Sequence, residues 1–190
     1  MGSAKSKLLP ETIIKMQKST YFEKKEIIQW HKSFYKDFHL GHISKSEFQQ
    51  SYKQFFPFGD SSSYSDLVFN AFDKNNDDLL DFEEFLTALS VSSRGSLEEK
   101  IKFCFEFYDL NKDGFIEREE MAAVVKAVYL LIGNTSEIPE DESTPEKRVE
   151  KLFNFMDLDK DDKLTYEEFK LGSEKDPSIC HAMNLYQGIV

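Results

Sequence analysis

Cysteine is nearly missing from this chain: Cys104 and Cys180 are the only two, and no C-x-x-C pair occurs. That excludes a disulfide framework and fits a reducing compartment. Long apolar runs are absent too. None approaches the roughly 18 residues of a bilayer-spanning helix, and no signal-peptide core is found near the N-terminus. We expect a soluble, cytoplasmic protein. Positive charge is scarce as well, with 24 Lys and Arg against 35 Asp and Glu, a net charge of −11. Nucleic-acid phosphates would find no basic face on it, so no nucleic-acid partner is expected. There is no nucleophile paired with a histidine, no phosphate-cradling glycine loop and no carboxylate pair outside the segments described next, so no enzyme is expected.

What the chain does have is acid at fixed spacing and, at 40% hydrophobic residues, enough apolar content over 190 positions to bury a real core. In DLNKDGFIEREE, residues 109–120, side-chain oxygens fall at positions 1, 3, 5, 9 and 12 as Asp109, Asn111, Asp113, Glu117 and Glu120. A calcium ion takes six to eight oxygens at about 2.3–2.6 Å, and one loop of twelve residues can wrap them around it. Position 7, Phe115, gives only its carbonyl. Gly114 at position 6 supplies the positive φ of the sharp turn. This is the EF-hand pattern.

The pattern recurs. DKNNDDLLDFEE, residues 73–84, offers Asp73, Asn75, Asp77, the Leu79 carbonyl, Asp81 and Glu84, with Asp78 where Gly is usual. DLDKDDKLTYEE, residues 157–168, offers Asp157, Asp159, Asp161, the Lys163 carbonyl, Thr165 and Glu168, with Asp162 at position 6. A further loop, KDFHLGHISKSE at 36–47, keeps Gly41, Ile43 and Glu47 but holds Lys36, Phe38 and Leu40 where anionic oxygens are needed. It has the skeleton and no metal site, and His39 and His42 without further ligands make no zinc site. Three calcium ions are expected, with magnesium an alternative occupant at low calcium.

Each loop lies between helical patterns. Residues 11–56 read as helical apart from the first loop, with Ile27, Trp30 and Phe34, then Phe48, Tyr52 and Phe55, at spacings of three and four. Ser61–Ser63 are candidate caps for the next helix, Ser96 and Glu99 form a capping box, and Thr144–Pro145 open another helix. Residues 133–144 read as a polar acidic linker. The fold class expected is all-α: four EF-hands in two pairs with short β links, Ile43 facing Leu80 and Ile116 facing Leu164. Residues 1–94 would form the first pair and 95–190 the second with a tail helix, Gly95 serving as hinge. In that tail Ile179, Met183 and Tyr186 share one face.

Met1–Ser6 fits the N-myristoylation pattern on Gly2, with Lys5 and Lys7 as a second, electrostatic membrane signal. The residues so far resemble the neuronal calcium sensor family, its frequenin-like branch above all. The stretches that carry the likeness are TYF at 20–22, YKQFFPFGD at 52–60, SSRGSLEEK at 92–100, TPEKRV at 144–149 and DPSI at 176–179. One departure is Phe38-His39, where such proteins usually carry Cys-Pro. The resemblance implies one silent hand and three active ones, peripheral attachment at membranes, and regulation of a membrane enzyme or receptor such as a phosphatidylinositol 4-kinase. Sensor hands open on binding to expose an apolar groove for an amphipathic helix of the target. Candidate lining residues are Trp30, Phe34, Tyr52, Phe55, Phe85 and Leu89. Two alternatives stand beside this reading: a calcium buffer that does not open, and a regulatory subunit resembling calcineurin B.

Overall fold

The N-terminal helical run is broken where sequence periodicity shows no break. In the computed structural model, which describes residues 8–133, 138–176 and 179, α1 spans Pro10–Ser19 and α2 spans Lys24–Asp37. The Thr20 hydroxyl donates to the Met16 carbonyl at 2.6 Å, and the Glu26 carboxylate accepts the Glu23 N–H at 2.8 Å, so one helix closes and the next is capped within four residues. The remaining elements are β1 (His42–Ser44), α3 (Lys45–Phe55), α4 (Ser62–Phe72), β2 (Leu79–Asp81), α5 (Phe82–Arg94), α6 (Leu97–Tyr108), β3 (Ile116–Glu117), α7 (Arg118–Ile132), α8 (Pro145–Met156), β4 (Lys163–Leu164) and α9 (Tyr166–Lys175). No described helix is long and apolar enough to cross a membrane.

The short strands pair the hands as the sequence implied. β1 and β2 run antiparallel with Ile43 opposite Leu80, and β3 and β4 with Ile116 opposite Leu164. All four side chains are buried, so each two-stranded link seals the loop end of its pair with apolar contacts. Ser96 and Thr144 cap α6 and α8 as expected, but α4 is capped differently. Ser61 makes no side-chain cap; the Asp60 carboxylate instead accepts from the Ser62 N–H at 2.9 Å and the Ser62 hydroxyl at 2.6 Å.

Contacts at Gly59 and near Gly95 are among those that tie the first pair to the second. At Gly59 the backbone lies so close to the end of α7 that an added Cβ would sit 1.8 Å from the Leu131 carbonyl oxygen, and the next N–H, of Asp60, donates to Leu130 O at 2.9 Å. Near Gly95 the Tyr21 hydroxyl donates to Glu99 across the pairs, and within the first pair Arg94 forks onto Glu26 at 2.6 and 3.0 Å and lies over the Phe22 ring at 4.4 Å. The Arg94 guanidinium holds the Glu26 carboxyl below its ordinary pKa.

Residues 138–144 bury no residue fully, as expected of a polar linker, but they hold a defined turn. Glu140–Glu142 form a 3-10 turn whose Glu142 carbonyl accepts from Tyr129 at 2.6 Å. The Glu142 carboxylate meets Arg148 at 2.7 Å, with the two side chains only 15% and 13% exposed. Lys151 also meets the Glu142 carboxylate, at 2.6 Å, so loss of Arg148 alone leaves that carboxylate one cation. Arg148→Ala is expected to cost about 2 kcal/mol in urea unfolding, and R148A/K151A, which removes both cations from Glu142, about 4 kcal/mol. Equal losses in the single and double variants would contradict this.

Of the predicted tail helix, Ile179 is buried and its carbonyl accepts from the Tyr108 hydroxyl at 3.4 Å. Met183, Tyr186 and Cys180 lie outside the described residues, as does Gly2. Cys104 is a buried thiol in no disulfide among the described residues.

Candidate metal centres

Each acidic loop is framed by its own backbone N–H groups. In the third loop the Asp109 carboxylate, just past α6, accepts from the N–H of Asp113 at 3.1 Å and of Gly114 at 3.0 Å. Asn111 Oδ1 accepts from Asp113 N and Asp113 Oδ1 from Phe115 N, so positions 3 and 5 are fixed by the turn they help to make. Glu120, third residue of α7, reaches back: one oxygen accepts Asn111 N at 3.0 Å and the other Glu117 N at 2.9 Å. Asp109 and Glu120 are both buried although charged. Burying two carboxylates in one loop is costly unless a cation joins them.

The second and fourth loops repeat this frame. Asp73 accepts from the N–H groups of Asp77 and Asp78, and Glu84 from those of Lys74, Asn75 and Asp81. Asp157 accepts from Lys160, Asp161 and Asp162, and Glu168 from Leu158 and Thr165. In the fourth loop Asp157, Asp159 and Asp161 bring carboxylate oxygens within 4.8 Å of one another. The other two loops place Asn75 and Asn111 at position 3, so their short-range repulsion is smaller.

Electrostatics follow the crowding. Burial, then the charges of Asp161, Glu168 and Asp157, raise the Asp159 pKa above the ordinary carboxylate value. Burial raises Glu84 as well. Burial pushes Glu168 up too, but hydrogen bonds from Thr165 and the N–H groups of Leu158 and Asp159 outweigh it and leave it lowered. Position 9 behaves differently from the sequence pattern taken alone: Asp81 and Thr165 accept the Glu84 and Glu168 N–H groups and thereby cap α5 and α9. Such residues suit a water-mediated contribution, the common arrangement at position 9. Among the position-7 residues, Leu79, Phe115 and Lys163 each donate their N–H to the position-5 carboxylate.

The first loop keeps the turn and loses the chemistry. Gly41 has φ +83°, and the Glu47 carboxylate accepts from Ser44 as a capping box. Lys36 is exposed, Phe38 packs against Phe34 at 5.3 Å between ring centres, and Leu40 projects into solvent. No oxygen-bearing side chain occupies positions 1, 3 or 5.

Position 6 is left-handed in all four loops, as the turn requires: Gly41 and Gly114, but also Asp78 at φ 62° and Asp162 at φ 64°. Position 4 is left-handed too, at Asn76, Lys112 and Lys160, which the sequence did not announce. The two aspartates are not equivalent, because Asp162 accepts from Arg118 Nε at 2.8 Å. Asp78→Gly is expected to raise the thermal midpoint in chelator, by up to about 1 kcal/mol of relieved strain. Asp162→Gly gains less because it releases Arg118, and equal gains would contradict that distinction.

Sequence reasoning missed the side chains that join neighbouring loops. Lys163 Nζ meets Glu117 at 2.8 Å across the β3–β4 link, and Lys112 Nζ donates to Asn76 Oδ1 at 2.7 Å between the third and second loops. Opposite charges at the register partners Glu117 and Lys163 were the available signal for the first. The predicted groove residues fall into separate sets. Trp30 and Phe34 both touch Phe85, at 6.2 and 5.6 Å between ring centres, while Tyr52 packs with Phe48, Phe56 and Tyr64. Phe34, Tyr52 and Leu89 are buried, Trp30 and Phe85 half-buried, and Phe55 is exposed.

Comparison with known proteins adds kinship to this geometry. A family model described as an EF-hand domain pair matches residues 98–172. A protein named neuronal calcium sensor 1 from Lymnaea stagnalis is 50% identical over 185 residues, covering 97% of either chain. The protein of the same name from Aplysia californica is also 50% identical, with the same coverage.

Proposed function

Because the chain belongs to the neuronal calcium sensor family, in its frequenin-like branch, we propose that it binds three calcium ions and passes their occupancy to a membrane-associated target. As a calcium-binding EF-hand sensor it is not an enzyme. Asp73, Asn75, Asp77, Asp81 and Glu84, then Asp109, Asn111, Asp113, Glu117 and Glu120, then Asp157, Asp159, Asp161, Thr165 and Glu168 would hold the ions, with carbonyls at Leu79, Phe115 and Lys163. Calcium supplies the two positive charges per site that crowded carboxylates require. Magnesium is the occupant proposed at low calcium. One observation carries the reading: in all three loops the first and twelfth carboxylates are anchored by N–H donors of the same loop.

Glu84, Glu120 and Glu168 are each the third residue of the helix leaving the loop. Any shift of these carboxylates is therefore a shift of α5, α7 or α9. Rotation of α5 would uncover Trp30, Phe34, Phe85 and Leu89, and a change across α3 and α4 would uncover Tyr52 beside Phe55. An amphipathic target helix would occupy that surface. Residues 1–94 and 95–190 would act as two halves about Gly95. An acyl chain on Gly2, aided by Lys5 and Lys7, would hold the sensor at cytoplasmic membranes, where a phosphatidylinositol 4-kinase or a receptor is the target class implied. Calorimetry with an amphipathic helical peptide is expected to show binding with calcium and none in chelator. Calcium binding without a rise in exposed apolar surface would instead make the chain a buffer.

A further inference from the structure

Charge is divided very unequally along this acidic chain. Residues 1–56 hold ten lysines and five carboxylates, a net of +5, and residues 57–190 hold fourteen cations and thirty carboxylates, a net of −16, together the chain's −11. Four of those ten lysines stand on one helix, α2, against the two carboxylates Glu26 and Asp37. The exposed residues of α2 include Lys24, Lys25, Ile28, Lys32 and Lys36, and their only exposed carboxylate is Asp37 at its end. Lys25, Ile28, Lys32 and Lys36 recur at spacings of three and four, a stripe about 16 Å long at 1.5 Å per residue.

These lysines are also uncommitted. Among the described residues Lys24, Lys25, Lys32 and Lys36 form no ion pair, and the one acid within their stretch, Glu26, is turned to Arg94. By contrast Arg118, Lys151, Lys163 and Lys170 each hold a carboxylate in the acidic remainder. Four residues past Lys36 comes Leu40, 79% exposed at the tip of the silent loop, and Ile28 within the stripe is 44% exposed. The first hand has thus exchanged oxygen donors for a cation at position 1 and an apolar tip at position 5.

We propose that the outward face of α2, continued by Leu40, docks on an anionic bilayer surface without need of an acyl chain. Isolated apolar side chains set among lysines on a convex helix face suit a flat, deformable surface better than a folded partner, which would need a contiguous apolar patch to bury. Lysine stems can lie along the acyl boundary while their ammonium groups stay among lipid phosphates and carboxylates. This deepens the membrane reading above, and it is tested apart from that reading by using the full chain made without its acyl group.

Partition of the unacylated chain is measured against phosphatidylcholine vesicles and against vesicles that also contain phosphatidylserine. Binding is expected only to the anionic vesicles and is expected to be lost near 1 M salt, where the Debye length is about 3 Å. Each lysine is worth about fivefold in partition, so K25E/K32E is expected to weaken binding about 25-fold or more, whereas K102E/K126E, of equal net charge, leaves it largely unchanged. Leu40→Ser should weaken it at constant charge. Circular dichroism and calcium titration of the variants are expected to match the parent, which separates docking from folding. Equal binding to both vesicle types, equal losses in the two charge-reversed variants, no effect of Leu40→Ser, or binding to a polyglutamate peptide but not to vesicles would each overturn the proposal.

Discussion

A Glu120→Gln chain is expected to lose one calcium equivalent from the sensor range, with the third-loop affinity falling at least about 100-fold. Loss of an outer-shell partner alone costs about 10–100-fold in metal affinity, and Glu120 supplies a charge as well as oxygens. Structural damage should be small. The amide keeps one carbonyl oxygen, so of the two N–H groups that Glu120 now accepts, from Asn111 and Glu117, one retains its partner at a cost near 1 kcal/mol. Glu47 provides the control, since it accepts from Ser44 in the same capping geometry yet stands in a loop with no oxygen-bearing side chain at positions 1, 3 or 5. Glu47→Gln should alter stability slightly and the calcium isotherm not at all. If the two variants gave the same isotherm by titration calorimetry, position 12 would not be what distinguishes the loops.

The second large effect concerns the joint between the hand pairs. Gly59→Ala is expected to destabilise the chain by roughly 3 kcal/mol, because the new methyl would meet backbone atoms that cannot rotate away: Leu131 O at 1.8 Å, Leu131 C at 2.5 Å and Leu130 O at 2.8 Å. The segment must lift off α7, which also breaks the Asp60 N–H to Leu130 bond. Gly114→Ala is the informative comparison. A Cβ there meets nothing within 4 Å, and only the positive φ of 90° is strained, so a loss near 1 kcal/mol is expected. Urea unfolding in chelator should rank Gly59→Ala well below Gly114→Ala, and the reverse order would contradict the close approach seen here.

Both predictions show which parts of the molecule the sequence made legible. Ligand positions repeat every twelve-residue loop, and the apolar position 8 fixes register by burial, so the pairs Ile43–Leu80 and Ile116–Leu164 could be named in advance. Capping by Ser96 and Thr144 is chemistry carried by neighbours in the chain and was equally readable. The break at Thr20–Glu23 was not, because it contains neither Pro nor Gly and its cap is an acidic residue three positions from another. The close approach at Gly59 depends on α7, some seventy residues away, and a lone glycine carries no sign of what lies opposite.

Charge contacts between elements were the least legible. Arg94 with Glu26, Arg148 with Glu142 and Arg118 with Asp162 join groups whose sequence spacing says nothing of their meeting. The left-handed residues at position 4 were missed for another reason: Lys112 and Lys160 have no intrinsic preference for that region and are held there by the loop's own hydrogen bonds. Aromatic spacing found Trp30, Phe34 and Tyr52 as apolar positions. It could not divide them between buried and half-exposed sets, because that division depends on how α5 and α4 pack over them.

The number of ions held is the most direct test of the whole account. Native mass spectrometry of the full chain in calcium should show three bound ions, falling to two in each of Glu84→Gln, Glu120→Gln and Glu168→Gln and staying at three in Glu47→Gln. A fourth ion removed by Glu47→Gln, or fewer than three in the parent chain, would contradict it.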